Sequence, residues 1–202
     1  SFFRFQQEKN IKFDLLITVD NGIVADKELT KIKEKQDIKI IVTDHHERPA
    51  PLVETHHWRV STKSVDVTVH TTQICGSAIS YFLAKEIDKN ADLGLAALGT
   101  VADCLPLVGV NRSIVVHGLQ KLNNDPSPGI KKLIQVSGVQ NQLSTYDLGF
   151  ILGPRINAVG RLSDPTDALR LLCSTSEVQA SKYASVLNNF NQDRQIIQKE
   201  ST

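Results

Sequence analysis

The sequence predicts an α/β fold: a parallel sheet flanked by helices, followed by a mainly helical part and a C-terminal connector helix. Three observations point there. Phe13-Asp14-Leu15-Leu16-Ile17-Thr18-Val19-Asp20 and Ile38 to Thr43 are short apolar runs of strand length. Ala25 to Lys35 lies between them, with Leu29 and Ile32 at helical spacing among Lys and Glu. After Gly76 the apolar spacing becomes helical in segment after segment.

Each element has its own signal. Both early runs read as buried strands, the first closed by the Asn21-Gly22 turn. A strand–helix–strand unit of this length implies a right-handed crossover and parallel strands. Pro49 and Pro51 mark a loop, and no clear period emerges before Thr72. Gly76 to Ile87 and Ala91 to Ala102 read as helices, the latter small and apolar enough to be buried. Asn111 to Leu122 and Pro128 to Val136 follow as helices, the second with Pro as starter. Thr145 to Gly149 begins a helical turn, and Gly153 to Arg161 reads as a glycine-containing loop. Ser176 to the end reads as a polar helix leaving the domain. The expected division is therefore one main domain over 1–175 and a connector helix over 176–202.

Composition narrows the functional classes. Hydrophobic residues make up 41% and charged residues 22%, which suits an ordinary globular core. A net charge of +1 means that any nucleic-acid surface is a local patch rather than a basic body. Cys75, Cys104 and Cys173 are odd in number and have no CxxC spacing, which argues against a zinc ribbon or disulfide framework. A reducing cytoplasm is the compartment they suggest. The sequence contains no Met and begins with Ser, from which a piece of a longer protein is expected.

The chemistry concentrates at strand ends. Parallel strands present their C-terminal ends on one edge, where open α/β sheets bind ligands. Asp20 and the Asp44-His45-His46 group leave their strands at that edge, and Asp103 ends an apolar helix. Any one of these alone reads as a turn cap or surface sequence; together they form a candidate metal set. Carboxylate and imidazole without thiolate suit Mn²⁺ or Mg²⁺ better than structural zinc. Two such ions can bridge a phosphate, activate water and stabilise a leaving oxygen. In Gly153 to Arg161, Arg155 and Arg161 offer planar phosphate donors and Asn157 a donor and an acceptor. The competing reading pairs those arginines with local carboxylates such as Asp164 or Asp167. His56-His57 has no carboxylate at useful spacing, and Trp58 reads as packing or simple exposure.

These blocks resemble a known family. "LLITVDNG", "IIVTDHHERPAPL", "LAALGTVADCLPL", "NRSIVVHGLQKLN", "PGIKKLI" and "DLGFILGPRINAVGRL" are similar to successive blocks of bacterial RecJ exonucleases. "TDHH" marks the wider DHH phosphoesterase superfamily, and "GPRINAVGRL" the RecJ branch. The resemblance runs from about Phe13 to the C-terminus and is weak between Val53 and Thr72. It implies a metal-dependent exonuclease that removes nucleotides from the 5′ end of single-stranded DNA, in repair and recombination. Asp20, His45 and Asp103 would be ligands to Mn²⁺ or Mg²⁺, with two ions in the complete protein. His46 would face the scissile phosphate or assist the metal site, and Asp44 would orient the histidines. Arg155, Asn157 and Arg161 would line the DNA-phosphate side. Helicases or single-strand-binding proteins are the partners it implies.

The family's Asp-x-Asp motif is expected upstream of Asp20, yet residues 1–19 contain only Asp14. The Asn-Pro element usual after the DHH loop is not seen either, and the family's downstream domains are not represented. Two other functions remain open: a phosphodiesterase for oligonucleotides or cyclic dinucleotides, and a non-catalytic DNA-binding scaffold.

Overall fold

The first apolar run and the lysine-rich segment after it build the first half of the sheet. The computed structural model describes residues 12–47, 64–162 and 164–200. β1 (Leu15–Val19), α1 (Asp26–Lys35) and β2 (Lys39–Asp44) follow one another as the strand–helix–strand unit requires. Asp26 and Glu28 open α1 while Lys33 and Lys35 close it, matching both ends of the helix dipole. Its Leu29 and Ile32 are buried, so one face of the helix carries the packing.

β1 and β2 pair in parallel from Leu15↔Lys39 to Val19↔Thr43. β3 (Val67–His70) adds to the other side of β2, again parallel, from Ile41↔Val67 to Asp44↔His70. Among the described residues the sheet order is β1-β2-β3. Leu29, Ile32, Ile38, Ile40, Val42 and Val65 form its core, with Leu16 and Ala25 packed against them. Burying a side chain such as Ile40 or Val42 contributes about 1.5–3 kcal/mol, so this cluster outweighs any surface ion pair nearby. Asp66 pins the strand entry: its carboxylate accepts from Lys33 Nζ at 2.7 Å and from the Ile40 amide at 2.8 Å. The Lys33 hydrogen bond is the largest influence holding that carboxyl below its usual range.

Two compact units divide the chain, Ser1–Leu83 and Ala84–Thr202. α2 (Gly76–Ile87) runs across the division. The second unit holds α3 (Leu93–Ala102), α4 (Gly109–Asn124), α5 (Pro128–Ser137), a π-helical turn (Asp147–Leu152), α6 (Gly153–Leu162), α7 (Thr166–Leu172) and α8 (Glu177–Glu200). The Asp92 side chain caps α3 by accepting from the Gly94 amide at 2.8 Å. Pro128 starts α5, and Gly138 ends it in the left-handed conformation. α8 packs on α5, α6 and α7, burying Ala180, Ala184, Leu187 and Asn191. Among the described residues no helix is long and apolar enough to cross a membrane.

The fold class is as the sequence predicts, and two local readings need correction. β1 is not a buried strand: Leu15, Ile17 and Val19 are exposed. β1 lies at the edge of the described sheet, and only its other face meets the core. The segment from Gly153 is not a loop but the helix α6. Pro154 lacks an N–H and cannot continue α-helical bonding. The π-helical turn before it absorbs that defect, with the Gly153 amide bonding back to Leu148 O.

Candidate metal centre

Parallel pairing puts two carboxylates side by side. One step beyond Val19 comes Asp20; one step beyond Thr43, its register partner, comes Asp44. Their roles then separate. Asp44 is buried, whereas the Asp20 side chain is half exposed. Asp20 holds a left-handed backbone conformation, φ 57°, which Asp tolerates better than most residues. The chain then turns through Gly22 at φ 114° and brings the Ile23 amide back to Asp44 Oδ2 at 2.9 Å.

Asp44 organises the loop behind it. Its Oδ1 accepts from the His45 amide at 2.8 Å, the His46 amide at 3.1 Å and the His46 ring Nδ1 at 2.7 Å. A carboxylate only accepts, so His46 Nδ1 donates to Asp44, and Nε2 is the ring atom left to face a ligand. Burial raises the Asp44 carboxyl pKa. The hydrogen bonds from Ile23, the His46 ring and the two histidine amides outweigh that and hold it below its ordinary value.

His45 turns the other way, its Nε2 lying 3.0 Å from Asp20 Oδ1. The two imidazoles lie with centroids 4.8 Å apart. Asp20, His45 and His46 each offer one ligand atom, all within 4.8 Å of one another. One carboxylate oxygen and imidazole nitrogens at this separation fit a divalent ion of the Mn²⁺ type. His70, at the end of β3, makes a ring Nε2 contact to the His46 carbonyl at 2.8 Å, which ties the loop to the third strand. Sequence reasoning missed this residue because it falls in a stretch without legible period.

The remaining sequence-predicted residues lie in the second unit. Asp103 is the exposed C-cap of α3, its amide bonded to Gly99 O. Arg155 on α6 is half-buried and donates from Nε to Asn188 Oδ1 at 3.0 Å and from Nη1 to Ile151 O at 2.7 Å. Burial first, then the nearby Arg194 charge, lowers its pKa from the ordinary value. Asp164 bonds Thr166, and Asp167 bonds Arg170. Asn157 is exposed on α6, and Arg161 lies near the end of that helix. His56, His57 and Trp58 lie outside the described residues.

The chain is 35% identical over 195 residues to the single-stranded-DNA-specific exonuclease RecJ of Bacillus subtilis, covering 95% of this chain and 25% of that protein. The crystal structure of RecJ in complex with Mn²⁺ from Thermus thermophilus superimposes with a TM-score of 0.80 at 27% identity, over 100% of this chain and 31% of that one. A crystal structure of exonuclease RecJ bound to manganese gives 0.77 at 27% identity, over 100% and 52%. The chain spans a quarter to about a third of the length of the curated relatives it matches. The model of the DHH family, N-terminal domain, matches residues 3–105. That match contains both strand-end carboxylates and the two histidines that converge here, and the chain belongs to the DHH family.

Proposed function

We propose that this chain is part of the metal-dependent catalytic core of an exonuclease that hydrolyses phosphodiester bonds of single-stranded DNA from the 5′ end. The observation that carries the proposal is the convergence of Asp20, His45 and His46 at the C-terminal edge of a parallel sheet. The names of its relatives support the substrate. DNA repair and recombination, in the cytoplasm, is the setting that fits such an activity and three free cysteines.

In this reading Asp20 and His45 hold Mn²⁺ or Mg²⁺, and Asp103 is a further ligand on the strength of the family resemblance. A divalent ion there supplies charge stabilisation at the phosphate and lowers the pKa of an attacking water. Asp44 holds His46 by its Nδ1, so Nε2 can ligate the metal when the ring is neutral or donate to a phosphate oxygen when the ring is protonated. Arg155, Asn157 and Arg161 steer the strand's phosphates. Arg155 is already braced against Asn188, and a braced guanidinium loses less freedom on binding a phosphate.

The test is Mn²⁺ binding together with release of nucleotides from end-labelled single strands. Asp20→Ala and His45→Ala are expected to lose both while keeping the wild-type far-UV spectrum. Mn²⁺ binding unchanged in both variants would move the metal elsewhere. A label at the opposite end checks the polarity.

A further inference from the structure

Asp20 does not stand free at the end of β1; it lies directly on the start of α2. A Cβ built on Gly76, the first residue of that helix, would overlap Asp20 Oδ1 and lie 2.5 Å from Cγ and 2.6 Å from Cβ. These three Asp20 atoms are the nearest neighbours such a Cβ would meet. Rotation about the Asp20 side chain moves the oxygens but not Cβ, so a methyl group at 76 forces the Asp20 backbone to shift. That backbone already holds a left-handed conformation, which leaves it few alternatives. Gly76 is itself fixed from behind. It is buried, between the buried Cys75 and Ala78, and its carbonyl accepts from Ser80 Oγ at 2.8 Å.

We propose that Gly76 is a positioning residue of the metal centre: the missing Cβ at the start of α2 is the seat that holds the Asp20 carboxylate beside His45. The inference rests on the reading of Asp20 and His45 as metal ligands. It adds a third element to the site, since α2 fixes where the β1 ligand stands. The glycine is required by the carboxylate it faces, since its own φ is not in the left-handed region.

Three variants test it: Gly76→Ala, Asp20→Gly and the two together. Mn²⁺ affinity is read from the loss of the free-ion electron paramagnetic resonance signal, and stability from thermal unfolding. Gly76→Ala is expected to weaken Mn²⁺ binding about 10- to 100-fold, as loss of a supporting contact does, and to lower the unfolding midpoint. In the Asp20→Gly background the same substitution should leave the midpoint nearly unchanged, because the overlapping atoms are gone. Should Gly76→Ala fail to fold, a folded double variant supports the seat. Wild-type Mn²⁺ affinity in Gly76→Ala overturns the proposal. So does a double variant destabilised as much by the alanine as the single one. If Asp20→Gly binds Mn²⁺ as tightly as the unaltered chain, the metal reading itself falls, and the midpoint comparison alone decides whether Gly76 seats Asp20.

Discussion

Both oxygens of the Asp44 carboxylate are engaged by the loops it supports. Oδ1 takes three donors and Oδ2 a fourth, so its work is to hold the turn and fix the His46 tautomer. An asparagine keeps the shape but turns one oxygen into a donor, which must then face the Ile23 amide or the histidine amides. Asp44→Asn is therefore expected to cost about 1–3 kcal/mol of stability through mismatched donors. It should also weaken Mn²⁺ binding about 10- to 100-fold. Calorimetric titration beside a thermal melt separates the two, and unchanged Mn²⁺ affinity would limit Asp44 to building the turn. At this scale the sequence was informative where side chains speak for themselves. Asp20 and Asp44-His45-His46 stand at the ends of apolar runs, and their meeting follows from strand direction. His70 and Gly76 were not legible for physical reasons. His70 acts through a main-chain carbonyl, which no residue pattern encodes, and Gly76 acts through an atom it lacks.

Helix packing in the second unit depends on small residues. α3 buries Gly94, Ala96 and Ala97, and a Cβ on Gly118 of α4 would overlap the Ala97 Cβ and lie 2.9 Å from Leu93 O. Glycine to alanine inside a helix ordinarily gains about 1 kcal/mol, whereas overpacking costs about 1–3 kcal/mol. The clash involves backbone, so the cost should win. Gly118→Ala is expected to lower stability despite its better helix propensity, as measured by urea unfolding; a stabilised variant would show that α3 and α4 separate cheaply. Apolar periodicity made most of these helices legible in advance. The exceptions are α6, where glycine and proline suggest a loop, and the short α7, for which the sequence shows no clear period. A widened preceding turn is one way for a proline to lie inside a continuous helical stretch, and the Asp147–Leu152 turn is π-helical. Sequence period carries no sign of that widening.

Across the whole molecule, the strand–helix–strand unit was legible because apolar content, length and amphipathy agree. The exposure of β1 was not, since an apolar run is the same whether one face or both are covered. The same topology has a thermodynamic consequence. Asp20 and His45 belong to neighbouring strands that are joined through a helix and become adjacent only when the strands pair in parallel. An unfolded chain has no such arrangement, so an ion bound by both discriminates between folded and unfolded chains as a ligand specific for the native state. Mn²⁺ at a hundredfold excess over its dissociation constant should then add about 2.7 kcal/mol to the stability of the sheet. Thermal midpoints should climb with the logarithm of Mn²⁺ concentration and return on chelation, and a flat midpoint would mean that the ion is not held by the strand ends. Such a site couples metal supply to the lifetime of the protein. When the ion is scarce, the sites empty first, and the ion-free chains then unfold more readily.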